Sequence, residues 1–252
     1  MKEKGCIIIF WAETNIGKRR EKNEDYMLTY SLDDVCTAYI VLDGIGGATG
    51  GEIASKVAGE KTIEYLKEHF VISKDDGYLA DNTENISMSV KYANRCVYEL
   101  NKKNKSYKDM GTTIAMIVVQ GNTGYIVNVG DSRIYELKED KIVQLSEDDT
   151  YVNALVRDGI ITEEEAKTHP DKHVLLKALG VTKSITFNVR KLDNVIGRKF
   201  LLCSDGLTIG VEDSEIFKIA KNSNSEEVCS NLIKKANENG GLDNITVMYV
   251  EA

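Results

Sequence analysis

The chain has 252 residues, 42% of them hydrophobic, and a formal net charge of −8. That is enough apolar material for one domain or two small ones. It contains no run of about 18 apolar residues of the kind that crosses a membrane, and its acidic balance disfavours non-specific nucleic-acid binding.

The first apolar stretch, Cys6 to Ala12, is brief for the apolar core of a signal segment. Glu13 and Asn15 follow it in place of a small-residue cleavage site, so it reads as a first strand. Further strand-type runs are expected at about 37–42, 113–119, 124–130, 133–137, 184–191, 198–203 and 245–250. Short turns such as Gln120-Gly121-Asn122-Thr123 and Lys138-Glu139-Asp140-Lys141 make neighbours antiparallel, because a parallel crossover needs a dozen or more residues.

Between the second and third runs, 51–68 and 84–103 carry helical periodicity. Ile53, Val57, Ala58, Tyr65 and Leu66 share one face, as do Ile86, Val90, Ala93, Val97 and Leu100. Lys102, Lys103, Lys105 and Lys108 read as a solvated helix end in preference to a phosphate patch. A last helix at about 225–238 is expected to open on a Ser223–Glu226 capping box and stop at Gly240-Gly241. Strands in meanders with helices in separate blocks make the class α+β. Residues 146–180 break the pattern with two short helical stretches, a Thr162–Glu165 capping box and the stop His169-Pro170. This is an excursion of lid type within a single domain spanning 1–252. Five scattered cysteines without a Cys-x-x-Cys pair fit a reducing cytosol.

Two apolar runs end on Asp-Gly, at Asp43-Gly44 and Asp205-Gly206, and Asp243 stands just before the last run. Carboxylates that converge at strand ends repel unless a cation lies between them. Asp43-Gly44-Ile45-Gly46-Gly47 reads either as a common turn or as a hard-metal site, in which a carboxylate and an unshielded glycine carbonyl reach one ion. It fits neither dinucleotide nor P-loop spacing. Gly17 to Asp25 places Arg20, whose fork matches phosphate oxygens, beside Glu24 and Asp25, although a charged surface loop has the same composition. No cysteine has an arginine six residues on, so a cysteine phosphatase mechanism of that spacing is excluded.

The ordered set Gly17-x-x-Arg20-x-x-Asn23-Glu24-Asp25, Val41-Leu42-Asp43-Gly44-Ile45-Gly46-Gly47, Gly111-Thr112-Thr113, Gly130-Asp131-Ser132-Arg133, Ser204-Asp205-Gly206-Leu207 and Gly241-Leu242-Asp243-Asn244-Ile245-Thr246 resembles the metal-dependent type 2C protein Ser/Thr phosphatases, the PPM family. Leu155-Val156-x-x-Gly159-x-Ile161-Thr162 with His169-Pro170 looks like the flap of its compact bacterial branch.

The resemblance implies a central sandwich of two antiparallel β-sheets flanked by helices on both outer faces. It implies two Mn²⁺ or Mg²⁺ ions, bridged by Asp43. The Gly44 carbonyl would bind one ion, Asp205 and Asp243 the other, with Glu24 and Asp25 acting through water. Asp131 would serve a weaker third ion, and Arg20 would hold the substrate phosphate. Val156, Gly159 and Ile161 would belong to a substrate flap. A metal-activated water would attack phosphoserine or phosphothreonine directly. The implied protein is a cytoplasmic monomer whose partners are phosphoproteins and a cognate bacterial Ser/Thr kinase, with no nucleic acid and no membrane. The alternative is a catalytically inactive phosphoprotein-binding scaffold of the same fold.

Four positions depart from the family pattern. Ile45 stands where many members carry a histidine that protonates the leaving oxygen, and Ile209 where many carry another aspartate. Asn15 and Asp149 replace a frequent aspartate and a frequent histidine. His69, His169 and His173 read as ordinary surface or flap histidines, Trp11 as core, and the glycine after Asp205 as a turn residue.

Overall fold

The computed structural model describes residues 8–46, 50–72, 79–103 and 109–252. Two five-stranded antiparallel sheets stack on each other. The first orders its strands β10 (Val189–Asp193), β7 (Thr123–Val129), β6 (Ile114–Gln120), β3 (Cys36–Leu42) and β2 (Tyr26–Asp33). The second orders β1 (Ile9–Asn15), β12 (Ile245–Glu251), β11 (Lys199–Cys203), β8 (Arg133–Leu137) and β9 (Ile142–Gln144). A two-residue ribbon pairs β4 (Gly44–Ile45) with β5 (Gly111–Thr112).

The pleat explains why the central strands read as unbroken apolar runs: both of their faces are covered. On β3, Ala38, Ile40 and Leu42 face helices α1 (Gly50–His69) and α2 (Thr83–Lys103), packing with Ala54, Ala58, Leu66, Val90 and Ala93. The alternate residues Tyr39 and Val41 face the second sheet, against Ile134, Phe200, Leu202, Met248 and Val250. On the outer face of that sheet, Leu201, Cys203, Val247 and Tyr249 meet Val228, Leu232 and Ile233 of helix α7 (Val228–Glu238). The expected four-layer αββα sandwich is therefore present. Each fully buried aliphatic side chain contributes about 1.5–3 kcal/mol. Trp11 is partly buried, stacked on Tyr249 at a centroid distance of 5.9 Å.

Several expected boundaries need correction. The first strand is described from Ile9 and runs on to Asn15; Cys6 and Ile7 lie outside the described residues, as do Gly47, Lys105 and Lys108. The run expected at 184–191 pairs only over Val189–Asp193. Strand β2 was not expected. It is an edge strand whose residues are mostly partly exposed, so its apolar alternation is diluted by Thr29, Ser31 and Asp33.

Ser223 and Glu226 form no capping box. Ser223 ends an unexpected helix α6 (Asp213–Asn222), and its hydroxyl donates back to the Ile219 carbonyl at 2.8 Å. A single 3₁₀ turn, Ser225–Glu227, then leads into α7. Helix α6 buries only Ile216 fully, which is why its sequence looks like a polar loop. The other capping box is present: Thr162 and Glu165 exchange bonds of 3.2 and 2.8 Å at the start of α4 (Glu163–Thr168), which stops at His169 before Pro170.

Candidate active site

Antiparallel register brings the motif residues to one end of the sandwich. Tyr26 pairs with Leu42, which sets Asp25 beside Asp43 at the mouth of the first sheet. Asn15 pairs with Ile245 and Cys203 with Val247, so the loop after β1, the exit of β11 and the entry to β12 share the same rim. The β7–β8 turn carrying Asp131 joins them, because Arg133 pairs with Cys203.

Asp43 is held through its backbone. Its N–H donates to Thr113 Oγ1 at 2.9 Å, and its carbonyl accepts from the Thr112 hydroxyl at 2.9 Å and the Thr113 N–H at 2.8 Å. Thr113 in turn bonds Ser132 at 2.6 Å. The Gly111-Thr112-Thr113 and Gly130-Asp131-Ser132-Arg133 motifs thus orient the carboxylate from behind. Gly44 lies against the start of α1, where a Cβ would overlap the Gly51 carbonyl oxygen; only glycine fits. Gly206 is not a turn residue, a correction to the reading above. It lies in the short helix α5 (Asp205–Thr208), and a Cβ there would overlap the Asn244 carbonyl.

The buried Asp25 places one oxygen, Oδ2, between Ser204 Oγ and Thr246 Oγ1, both donating at 2.7 Å. Its Oδ1 is buried without a partner, and so is Asp205 Oδ1. Glu24 accepts from the Gly51 N–H at the positive end of α1. Its own N–H donates to Asn244 Oδ1 at 2.8 Å. Asp243 receives the Asn244 N–H at 2.8 Å on Oδ1, and Arg20 Nη2 at 2.6 Å on Oδ2.

These carboxylates sense one another. Burial raises Asp43 well above the usual carboxylate range, and Asp25, Asp205, Asp131 and Asp243 each push it further. Burial lifts Asp25 to about 7 against the two hydroxyl bonds. Asp205 rises to about 7, first from burial and then from Asp243. Asp131 rises to about 8, first from burial and then from Asp205. Glu24 is also raised by burial, with Arg20 opposing.

Acidic groups gathered so that most of them destabilise their neighbours, with only a hydrogen bond between Asp43 and Asp205 opposing this, and two of them with orphaned buried oxygens, lack positive charge. An all-oxygen donor set suits a hard divalent cation, so the residues fit the ions expected of them. Among the described residues, no three such side chains already stand as a finished metal cage. In this structure Asp243 is turned toward Arg20.

Arg20 itself lies on the exposed loop between β1 and β2, its side chain 51% exposed. That loop is anchored by Asn15, whose Oδ1 accepts from the Gly17 N–H at 2.9 Å and from Asn237 Nδ2 at 3.2 Å, a role that asparagine fills in place of aspartate. Ile45 and Ile209 are partly buried and bring no polar atom to the rim.

The flap over 146–180 is tied at both ends. At its entry, Arg133 Nε bonds both oxygens of the buried Asp148 at 3.1 and 2.8 Å. Asp149 bonds the Gly130 carbonyl through its N–H at 2.9 Å, and its carboxylate takes Lys177 at 2.6 Å. At its exit, Leu179 and Thr112 exchange backbone bonds of 3.1 and 2.8 Å. Between these ties, Val156 is partly buried in α3 (Tyr151–Arg157), Gly159 is exposed with φ 71°, and Ile161 is partly buried. One histidine set aside above stands closer to the chemistry than its sequence signals. His173 on the flap feels the Asp243 charge, although burial and then Lys172 hold its pKa below the usual value. Nothing in the local sequence marks it, because the proximity arises from the flap's path back across the rim.

Comparison with known proteins agrees with this geometry. The profile of the family Protein phosphatase 2C matches residues 16–239. The chain is similar to the serine/threonine phosphatase stp of Listeria innocua, 34% identical over 240 residues that cover 94% of this chain and 93% of that protein. Among solved structures it is similar to the serine/threonine phosphatase Stp1 of Staphylococcus aureus, with a TM-score of 0.87, 31% identity and coverage of 100% and 98% of the two chains. It is also similar to the catalytic domain of PstP in complex with two manganese ions, with a TM-score of 0.82, 28% identity and 97% coverage of each chain. With nearly its whole length matched in sequence and in fold, the chain belongs to the Protein phosphatase 2C family.

Proposed function

We propose that the chain is a metal-dependent protein serine/threonine phosphatase that hydrolyses phosphoserine and phosphothreonine by direct attack of water. Two Mn²⁺ or Mg²⁺ ions would be held by Asp43, the Gly44 carbonyl, Asp205 and Asp243. Glu24 and Asp25 would act through water, and Asp131 would stand beside a weaker third position. The observation that carries this reading is the set of carboxylates gathered on one rim, Asp43, Asp25, Asp205 and Asp131 raised by burial and by neighbouring carboxylate charges, with orphaned oxygens on Asp25 and Asp205, beside Arg20. The PstP catalytic domain, similar in fold, contains two manganese ions.

When bound, such cations neutralise the carboxylates, polarise a phosphoryl group and lower the pKa of water. The protein's own groups do the rest. Thr112, Thr113 and Ser132 fix Asp43, and Ser204 and Thr246 fix Asp25. Arg20, charged and half-exposed, offers guanidinium N–H groups to the phosphate oxygens as charge builds on them. Ile45 has no proton to give, so a water molecule would protonate the departing alkoxide.

The finer features belong to the same proposal: one domain with a flap at 146–180, a flap surface around Val156, Gly159 and Ile161 that selects protein substrates, and a cytoplasmic monomer opposing a Ser/Thr kinase. No helix among the described residues is long and apolar enough to cross a membrane.

Incubating the protein with a phosphothreonine protein and Mn²⁺, with and without chelator, tests the reading. Phosphate release should need the cation, and Asp43→Asn should abolish it while leaving the circular dichroism spectrum unchanged. Turnover that survives full cation removal refutes the mechanism.

A further inference from the structure

The loop between β1 and β2 carries more positive charge than one phosphate needs. From Lys18 to Lys22 it runs Lys18-Arg19-Arg20-Glu21-Lys22, all exposed, in a chain whose net charge is −8. Arg20 is paired with Asp243. Among the described residues, neither the Lys18 ammonium nor the Arg19 guanidinium has an ion-pair partner. The backbone beneath them is not loose: Lys18 N–H donates to the Gly241 carbonyl at 2.7 Å, in the same loop that presents Asp243. The Asn15 side chain closes the turn at Gly17. Two exposed cations without ion-pair partners thus stand one and two residues from Arg20, on a turn whose backbone is tied to the loop of Asp243.

We propose that Lys18 and Arg19 form a subsite for acidic side chains flanking the phosphorylated residue, so that the preferred substrates are acidic phosphopeptides. This rests on the reading of the site given above. Neighbouring Cα atoms lie about 3.8 Å apart, and an extended peptide advances about 3.3 Å per residue. The Cα atoms of Lys18 and Arg19 therefore lie within about 8 Å of that of Arg20, a span of about one to three residues of a bound peptide. A protein this acidic repels an acidic peptide at long range, and a local pair of cations reverses the field where the peptide docks. Glu21, the one acidic residue in the stretch, is exposed and leaves the loop positive.

The test uses two labelled peptides of one length that carry a non-hydrolysable phosphonate in place of phosphothreonine, flanked by glutamate or by lysine. Their dissociation constants are measured with Mn²⁺ by fluorescence anisotropy, beside turnover of an aryl phosphate. The acidic peptide should bind about tenfold tighter at low salt, and the preference should shrink at high salt. The double variant Lys18→Gln/Arg19→Gln should erase the preference, with aryl phosphate kcat/KM changed far less than the binding of the acidic peptide. Equal binding of the two peptides by the unaltered protein overturns the proposal. So does a double variant that weakens both peptides alike. Absence of aryl phosphate turnover in the unaltered protein counts against the phosphatase reading, while the two dissociation constants still decide the subsite.

Discussion

Removing Arg133 isolates one buried charge. Asp148, its side chain 6% exposed, receives Arg133 at 2.7 Å and Gln144 Nε2 at 2.7 Å. Arg133 also donates to the Tyr135 hydroxyl at 2.9 Å, and that hydroxyl donates to Asp213 at 2.9 Å. Burial still raises the Asp148 carboxyl above its usual value despite this arginine. Against its own burial, Tyr135 and Asp148 raise the Arg133 guanidinium above its usual value, so the arginine gains from the contact what the carboxylate loses to burial, and the net contribution of such a pair to stability is small.

Breaking it is a different matter, because the carboxylate stays buried with one donor left. A broken buried pair costs about 3–5 kcal/mol. With Gln144 retained and Arg133 partly exposed, about 2–4 kcal/mol is expected for Arg133→Met. Adding Asp148→Leu should recover more than half of that loss. Urea denaturation of the two single variants and the double variant, each with saturating Mn²⁺, completes the cycle. Because Asp148 also starts the flap, Arg133→Met should raise KM for a phosphoprotein more than for an aryl phosphate. A loss below about 1 kcal/mol, typical of an exposed pair, or strictly additive effects in the cycle, refutes this account.

Arg20→Ala should raise KM by about tenfold with a smaller change in kcat, as read from initial rates on a phosphopeptide, because one charge-assisted phosphate contact is lost. An unchanged KM removes Arg20 from phosphate binding. In Asp205 the folded pKa, about 7, exceeds the unfolded one. In chelator, its contribution is thus fully present below about pH 4 and is lost as pH rises toward 7. Asp205→Asn should therefore stabilise the cation-free protein by an amount that grows from pH 5 to pH 8, reaching roughly 2–4 kcal/mol, while Mn²⁺ should raise its Tm less than that of the unaltered protein. A difference in Tm that is flat with pH contradicts the carboxylate cluster. Gly44→Ala should cost about 1–3 kcal/mol or more through overpacking against Gly51, and thermal melts should show the loss even without cations.

The sequence alone carried the class, the central strands and the chemistry-bearing residues. Strands buried on both faces, such as β3 and β6, leave long apolar runs, and the Asp-Gly and Gly-Asp motifs mark where they end. It missed β2 and α6, because an edge strand and a surface helix bury only a stripe and their polar faces dominate the text. Only the tertiary structure decided which carboxylates meet. Antiparallel register across four strands set Asp25 beside Asp43 and brought Ser204 and Thr246 onto Asp25, contacts that span up to 221 residues of chain. It also turned Gly206 from a presumed turn into a packing point, and brought His173 within the field of Asp243. Residue types are local facts, readable one at a time. The mutual repulsion that makes these aspartates a cation site exists only after distant strand ends share one rim, because charge interactions depend on distance and burial and neither is written in the order of the residues.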